Sequence, residues 1–170
     1  MDKETRKIAR HLANKIIRDV GPAVREYAGT DLGGTEVKTG ADGTPTSFID
    51  QVAEEKIITI LKNADVYSYL VSEEIGELKL GKGTKRSINL TQELKRTDLN
   101  KEETPKFIFL IDPVDGTSNA IKEIPAYAIS VAIADVNQGQ IATINDVELG
   151  FLYNLANGTF LKLKKEKELF

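Results

Sequence analysis

Cysteine is absent from this chain of 170 residues, and histidine occurs once, at His11. The first absence removes disulfides, thiolate nucleophiles and zinc-thiolate centres together. The second leaves no basis for a multi-histidine metal site or a Ser/His nucleophile pair. An excess of one charge is also missing: 23 Lys+Arg stand against 26 Asp+Glu, a net charge of −3. So weak a field exerts no general pull towards nucleic acid or an anionic membrane, and neither is expected as a partner. No apolar run approaches membrane-spanning length, and the first twenty residues are dotted with charge, so they read as neither signal peptide nor anchor. A cytoplasmic location is the expectation, consistent with a cysteine-free chain. Carboxylates and hydroxyls remain as the groups for catalysis.

The hydrophobic fraction of 41% and charged fraction of 29% are those of an ordinary globular chain, and 170 residues suit one domain with a real core. From Lys3 to about Tyr27, Ile8, Leu12, Ile16, Val20, Val24 and Tyr27 recur every three or four positions. This is the period of an amphipathic helix, with a bend expected near Gly21-Pro22. Gly29 to Pro45 reads as a loop. A second helix is predicted over Ser47 to Lys62, with Ile49, Val52, Ala53, Ile57, Ile60 and Leu61 inward. VYSYLV is β-prone and stops at Ser72-Glu73-Glu74; Leu78 to Lys106 reads as a long polar excursion with a short helix around Leu90 to Lys95. The run FIFLI, residues 107–111, predicts a buried strand, and further strands are expected at Ala128–Ala134, Glu148–Leu155 and Thr159–Lys164. The last two flank Asn157-Gly158, a hairpin signal. No internal repeat or low-complexity tract interrupts this order, which describes an α+β layered domain.

Chemistry concentrates in Asp112-Pro113-Val114-Asp115-Gly116-Thr117-Ser118-Asn119, directly after the predicted buried strand. Hard cations such as magnesium prefer oxygen ligands, and a turn with two carboxylates and a carbonyl between them supplies several. Pro113 stiffens the turn. Gly116 allows close approach of the backbone, and the amides of Gly116 and Thr117 would open a short helix whose N-terminus favours phosphate. The spacing is not that of an EF-hand loop, nor of the aspartyl-phosphate phosphatases, which place one residue between their aspartates. Taken alone, Asp-x-x-Asp-Gly is more often a solvated turn.

The complete octapeptide resembles the signature of the inositol monophosphatase and fructose-1,6-bisphosphatase superfamily, magnesium-dependent sugar-phosphate phosphatases. Two other blocks agree in order and approximate spacing. Ser72-Glu73-Glu74 is similar to the family's acidic pair after a strand, and Gly40-Ala41-Asp42-Gly43-Thr44-Pro45-Thr46-Ser47-Phe48-Ile49-Asp50, followed by Ala53-Glu54, is similar to its upstream block. The wording from Gly40 to Thr46 looks most like archaeal members, which often accept both inositol monophosphate and fructose bisphosphate. The resemblance implies a layered αβ sandwich, whose N-terminal domain has a mixed, largely antiparallel sheet flanked by two long helices. It makes Glu73, Asp112 and the carbonyl of Val114 ligands of a first metal, and lets Asp112 and Asp115 reach a second. Glu73 is also placed among the catalytic groups. Thr117 coupled to Asp50 would orient and activate the attacking water, and Gly116, Thr117 and Ser118 would hold phosphate. Two or three Mg2+ ions, or Mn2+ in their place, would serve a complete site, and in-line attack by a metal-activated water would need no covalent intermediate.

Plainer roles stand beside these. Asp50 is also suited to capping its helix, Thr117 to being a helix N-cap, and Glu74 to being a solvated neighbour of Glu73. His11 reads as a surface or packing residue. Lys79, Lys82, Lys85 and Arg86 read as a solvated loop in preference to a substrate-phosphate contact. The resemblance also implies a second αβ domain carrying a further metal-binding aspartate. Nothing after Leu155 is similar to it, Lys162 to Phe170 reads as a strand end and tail, and the excursion from Leu78 is longer than the family usually shows. The expectation is therefore an N-terminal metal-binding domain over residues 1–170 with its C-terminal domain absent or truncated. Such a domain is either part of a phosphatase for a small phosphate ester or a non-catalytic remnant that binds metal or a partner. A homo-oligomer or a complementing C-terminal domain is the expected protein partner. Inositol monophosphate, fructose bisphosphate and a phosphonucleotide all remain open as substrate.

Overall fold

The computed structural model describes residues 1–136 and 139–165. The chain opens with helix α1, Lys3–Tyr27, whose first turn is capped by Asp2: its carboxylate accepts from the amides of Glu4 and Thr5, each at 2.9 Å. The helix runs unbroken through Gly21-Pro22. It buries the periodic stripe Leu12, Ile16, Val20 and Val24, together with the small residues Ala9, Ala13 and Gly21.

The segment expected to be one loop instead carries a hairpin, β1 (Glu36–Thr39) and β2 (Pro45–Ser47), paired antiparallel. All four β1 side chains are exposed, so no alternation marks it in the sequence. Helix α2, Phe48–Lys62, follows at once. Ile49, Ala53, Ile57, Ile60 and Leu61 face inward as expected, Val52 is only half-buried, and two carboxylates, Asp50 and Glu54, are buried among them.

Seven strands form the main sheet in the order β5-β4-β3-β6-β7-β8-β9. They are β3 (Ser68–Ser72), β4 (Gly76–Gly81), β5 (Thr84–Ser87), β6 (Phe107–Asp115), β7 (Ala128–Asp135), β8 (Val147–Asn154) and β9 (Phe160–Lys164). Among the described residues there are also two short helices, α3 (Leu90–Leu94) and α4 (Thr117–Ile121), and a 3-10 turn at Ile144–Asp146. The expected strands near 128, 148 and 159 are thus present, while residues 166–170 of the expected tail lie outside the described residues. The excursion after Leu78 is not one loop. Its start is β4 and β5, an antiparallel meander on β3, and its helix is α3.

Every pairing in the main sheet is antiparallel except β3 with β6, which run parallel with Ser72 beside Ile111. That exception places the site, because the carboxyl ends of two neighbouring strands emerge together: Glu73 follows β3, and Asp112 lies one step along β6. Helices α1 and α2 cover one sheet face, packing on Leu70, Phe109, Ile111, Ile129, Ile133 and Phe151. On the other face α3 covers a row of Tyr69, Ile108 and Ala134 with Leu94. Beyond that row the face is open. Among the described residues no helix is long and apolar enough to cross a membrane.

Candidate active site

The strand β6 runs past the apolar FIFLI segment to Asp115, and its register against β7 slips between Asp112 and Asp115. The irregularity breaks strict alternation at Pro113-Val114. Asp112, Asp115 and Glu73 consequently line one cleft of about 290 Å3 together with Asp50, Glu74 and Thr117. Pro113 and Val114 are buried and hold the turn from below.

Gly116 ends the turn at φ +90°, and a Cβ there would stand 2.8 Å from the carbonyl oxygen of Ala126. Glycine is required twice over, by conformation and by space. It is also the N-cap of α4, so Thr117 is not the N-cap but the first helical residue. The Thr117 hydroxyl lies 2.6 Å from Asp50 Oδ1 and 2.9 Å from the Val114 carbonyl oxygen, with both acceptors available to its single proton. Asp50 Oδ2 accepts from the Ser47 amide at 3.2 Å, so this carboxylate caps α2 and meets Thr117 at the same time.

Electrostatics mark the cluster. Burial pushes the Asp112 carboxyl up to about 6, and Glu73 and Asp115 push it further in the same direction. Partial burial raises Glu73 as well, followed by the charge of Asp42. Asp50 is raised by burial against the opposing bond from Thr117, and Glu74 is raised by burial against the bond from Thr46. Asp42 goes the other way, held low by the backbone amide and hydroxyl of Thr44.

The surroundings of three carboxylates, Asp42, Glu74 and Glu54, lay beyond sequence reasoning. Asp42, at the tip of the β1–β2 hairpin, lies near enough to Glu73 for its charge to raise that carboxyl. Glu74 is not a solvated neighbour: half-buried, it accepts from the Thr46 hydroxyl, and its backbone carbonyl accepts from the Ala41 amide at 3.2 Å. Behind them Glu54 accepts from Ser72 Oγ at 2.8 Å and pairs with Lys38 Nζ at 3.2 Å. Each joins segments far apart in the chain, and only the side-chain chemistry of the Gly40–Glu54 block hinted at them.

The basic residues lie elsewhere. Lys79 pairs across the strands with Tyr69, and the β4–β5 turn beyond it is at the end of the sheet opposite Glu73. Lys79 is not solvated but 3% exposed, with Glu93 at 3.7 Å. His11 is exposed on α1, beside an open hollow lined by Lys7 and Asp65.

Among the described residues no three Asp, Glu or His side chains converge into a ready-made metal cage. The donors nevertheless suit a hard divalent cation. They are all oxygen, and the upward shifts of Asp112 and Glu73, due first to burial and then to neighbouring carboxylate charge, are of the kind a bound cation would offset.

Residues 4–167 match the model of the inositol monophosphatase family, and the chain belongs to that family. It is 38% identical over 152 residues to a fructose-1,6-bisphosphatase/inositol-1-monophosphatase of Methanothermobacter thermautotrophicus, covering 89% of this chain and 46% of that protein. It is 34% identical to a bifunctional NADP phosphatase/NAD kinase of Methanocaldococcus jannaschii, with 86% of this chain and 25% of that protein covered. The fold matches the Leishmania major fructose-1,6-bisphosphatase in its holo form at a TM-score of 0.68 and 11% identity, across 96% of this chain and 49% of that one. The chain thus spans about half the length of the first of these relatives, or less. The first of these relatives is by name a phosphatase of the fructose-1,6-bisphosphatase and inositol-1-monophosphatase type.

Proposed function

We propose that this chain is the metal-binding half of a magnesium-dependent phosphatase acting on a sugar or inositol phosphate monoester. One observation carries the reading: the parallel β3–β6 pair brings Glu73, Asp112, Asp115 and the Val114 carbonyl to one cleft, beside a threonine hydroxyl bonded to a buried aspartate. Glu73, Asp112 and the Val114 carbonyl would hold one cation, and Asp112 with Asp115 a second. Bound there, divalent cations supply Lewis acidity to the phosphoryl oxygens and to the attacking water. The protein's own part is positional. Asp50 draws the Thr117 proton towards itself and leaves the hydroxyl oxygen able to accept from a water, orienting its attack. The backbone from Gly116 to Ser118 opens α4 and offers amides to the phosphate oxygens.

The names of the relatives supply three esters to try: fructose 1,6-bisphosphate, inositol 1-phosphate and NADP. The partner we propose is a complementing C-terminal half, or failing that a second copy of this chain. The open sheet face and the relatives' greater length support it. The alternative is a non-catalytic remnant that binds metal or a partner, favoured by the lack of a ready-made cage of three Asp, Glu or His side chains among the described residues.

Calorimetric titration with Mg2+ and Mn2+ is the first test. Binding by the wild type that Asp112→Asn abolishes and Asp115→Asn weakens supports the site, and equal affinity in all three proteins refutes it. Phosphate release with the three esters then separates phosphatase from remnant. If turnover occurs, Asp50→Asn or Thr117→Ala lowers kcat by about 10²- to 10⁴-fold with little change in KM.

A further inference from the structure

The hairpin β1–β2 presents a puzzle of balance. Its tip carries Asp42 into the neighbourhood of Glu73, a carboxylate of the same charge, and β1 buries none of its side chains to hold it there. Backbone bonds secure its base, where Phe48 and Ile49 donate to the carbonyls of Thr35 and Gly33 at 2.8 and 3.1 Å, and a single one reaches from its tip, where the Ala41 amide donates to the Glu74 carbonyl at 3.2 Å. Side-chain ties add to these bonds.

We propose that Glu54 is a positioning residue that fastens this hairpin and the Glu73-bearing end of β3 to a single point on α2. Glu54 is 2% exposed and sits one helical turn beyond Asp50. One carboxylate oxygen accepts from Ser72 Oγ at 2.8 Å, on the residue immediately before Glu73. The other oxygen meets Lys38 Nζ at 3.2 Å, in the middle of β1. A buried carboxylate so divided is rigid in both directions, because releasing either partner strands charge or a polar group away from water. Thr46 and Glu74 make a second tie on the β2 side of the same hairpin. The rigid element behind the Glu54 tie is α2, which also carries Asp50. The three segments that face the cleft from this side therefore share one reference frame.

The inference rests in part on the metal reading, and the experiment keeps the two apart. Glu54→Gln keeps an acceptor for Ser72 but loses the ion pair with Lys38; Ser72→Ala does the converse. In the metal-free chain, hydrogen exchange of the amides in residues 36–47 should quicken by about 10-fold in Glu54→Gln, with α1, β7 and β8 unchanged. Ser72→Ala should leave hairpin exchange at the wild-type rate. Both variants should weaken Mn2+ affinity by about 10- to 100-fold, the usual effect of losing a group that orients a ligand. Hairpin exchange unaltered in Glu54→Gln overturns the proposal, as does acceleration spread evenly over the whole chain. A wild type that binds no Mn2+ refutes the metal reading instead, and the exchange rates still decide the role of Glu54.

Discussion

The two faces of the main sheet are built from the same strands and differ in almost everything else. On the face under α1 and α2, Leu70, Phe107, Phe109, Ile129, Ile133 and Leu149 are each no more than 1% exposed. On the opposite face Leu110 and Leu152 are 39% exposed, Leu161 56% and Leu163 72%. Small residues lie between these leucines: Ser130, Ala132 and Gly150 line the floor of a hollow of about 680 Å3. Glu73 and Asp112 line that hollow as well as the cleft at the β6 turn. One face therefore stabilises the chain, while the other stands open beside the site. Apolar patches of this kind seldom stay bare in solution.

The largest expected effect breaks the first face. Phe109→Ala removes a ring packed edge-on against Phe107 with centroids 5.2 Å apart. It should cost about 3–5 kcal/mol in chemical denaturation, and a smaller loss would mean that this face is less tightly packed than it looks. Next comes the turn where the two faces meet. Gly116→Ala forces a Cβ into the left-handed region and against a carbonyl, which should destabilise the chain by about 1–3 kcal/mol. Metal affinity should fall with it, and unchanged calorimetric binding would count against the turn as ligand.

A subtler contrast concerns charge. Asp112 has a folded pKa of about 6, above its ordinary 3.8. The folded chain thus holds this proton more tightly than the unfolded one, so its contribution to stability is complete below pH 3.8 and is lost as pH rises through 6. Glu73, also raised, acts with the same sign. Metal-free protein should melt higher at pH 5 than at pH 7. Asp112→Asn should flatten that slope by about 1 kcal/mol, after allowing for the group's partial exposure. A melting temperature that rises from pH 5 to pH 7 would show that repulsion in the cleft is not felt. The smallest effect belongs to the open face: Leu152→Lys should alter stability by less than about 0.5 kcal/mol. It should nevertheless shift sedimentation towards monomer, whereas identical sedimentation would take the open face out of self-association.

How much of this was legible in the sequence depended on periodicity and on local motif. The stripe of α1 and the apolar run of β6 announced themselves because burial on one side leaves a pattern in a single segment. Residues 36–47 did not, since an exposed four-residue strand has no inward face to reveal it. Lys79 misled for the opposite reason: on β4 it alternates with buried Leu78 and Leu80, yet lies under α3 beside Glu93, and composition cannot distinguish that place from solvent. The turn from Asp112 to Thr117 and its link to Asp50 were readable because the octapeptide and its upstream block are contiguous wordings. Glu54 with Lys38, Thr46 with Glu74 and Asp42 with Glu73 are tertiary facts. Each requires knowing that a hairpin folds back over the end of β3.

The parallel pairing of β3 with β6 also has a consequence in time. Partners across it, such as Leu70 and Phe109, are roughly forty residues apart in the chain, whereas β3–β4, β4–β5 and β8–β9 are joined by short turns. Helices and hairpins can form while the chain is still open, but Glu73 and Asp112 become neighbours only when that long loop closes. The cleft is therefore among the last features the folding chain acquires. Until then its carboxylates are scattered and unstrained, and the cost of crowding them falls on a structure already stable enough to bear it.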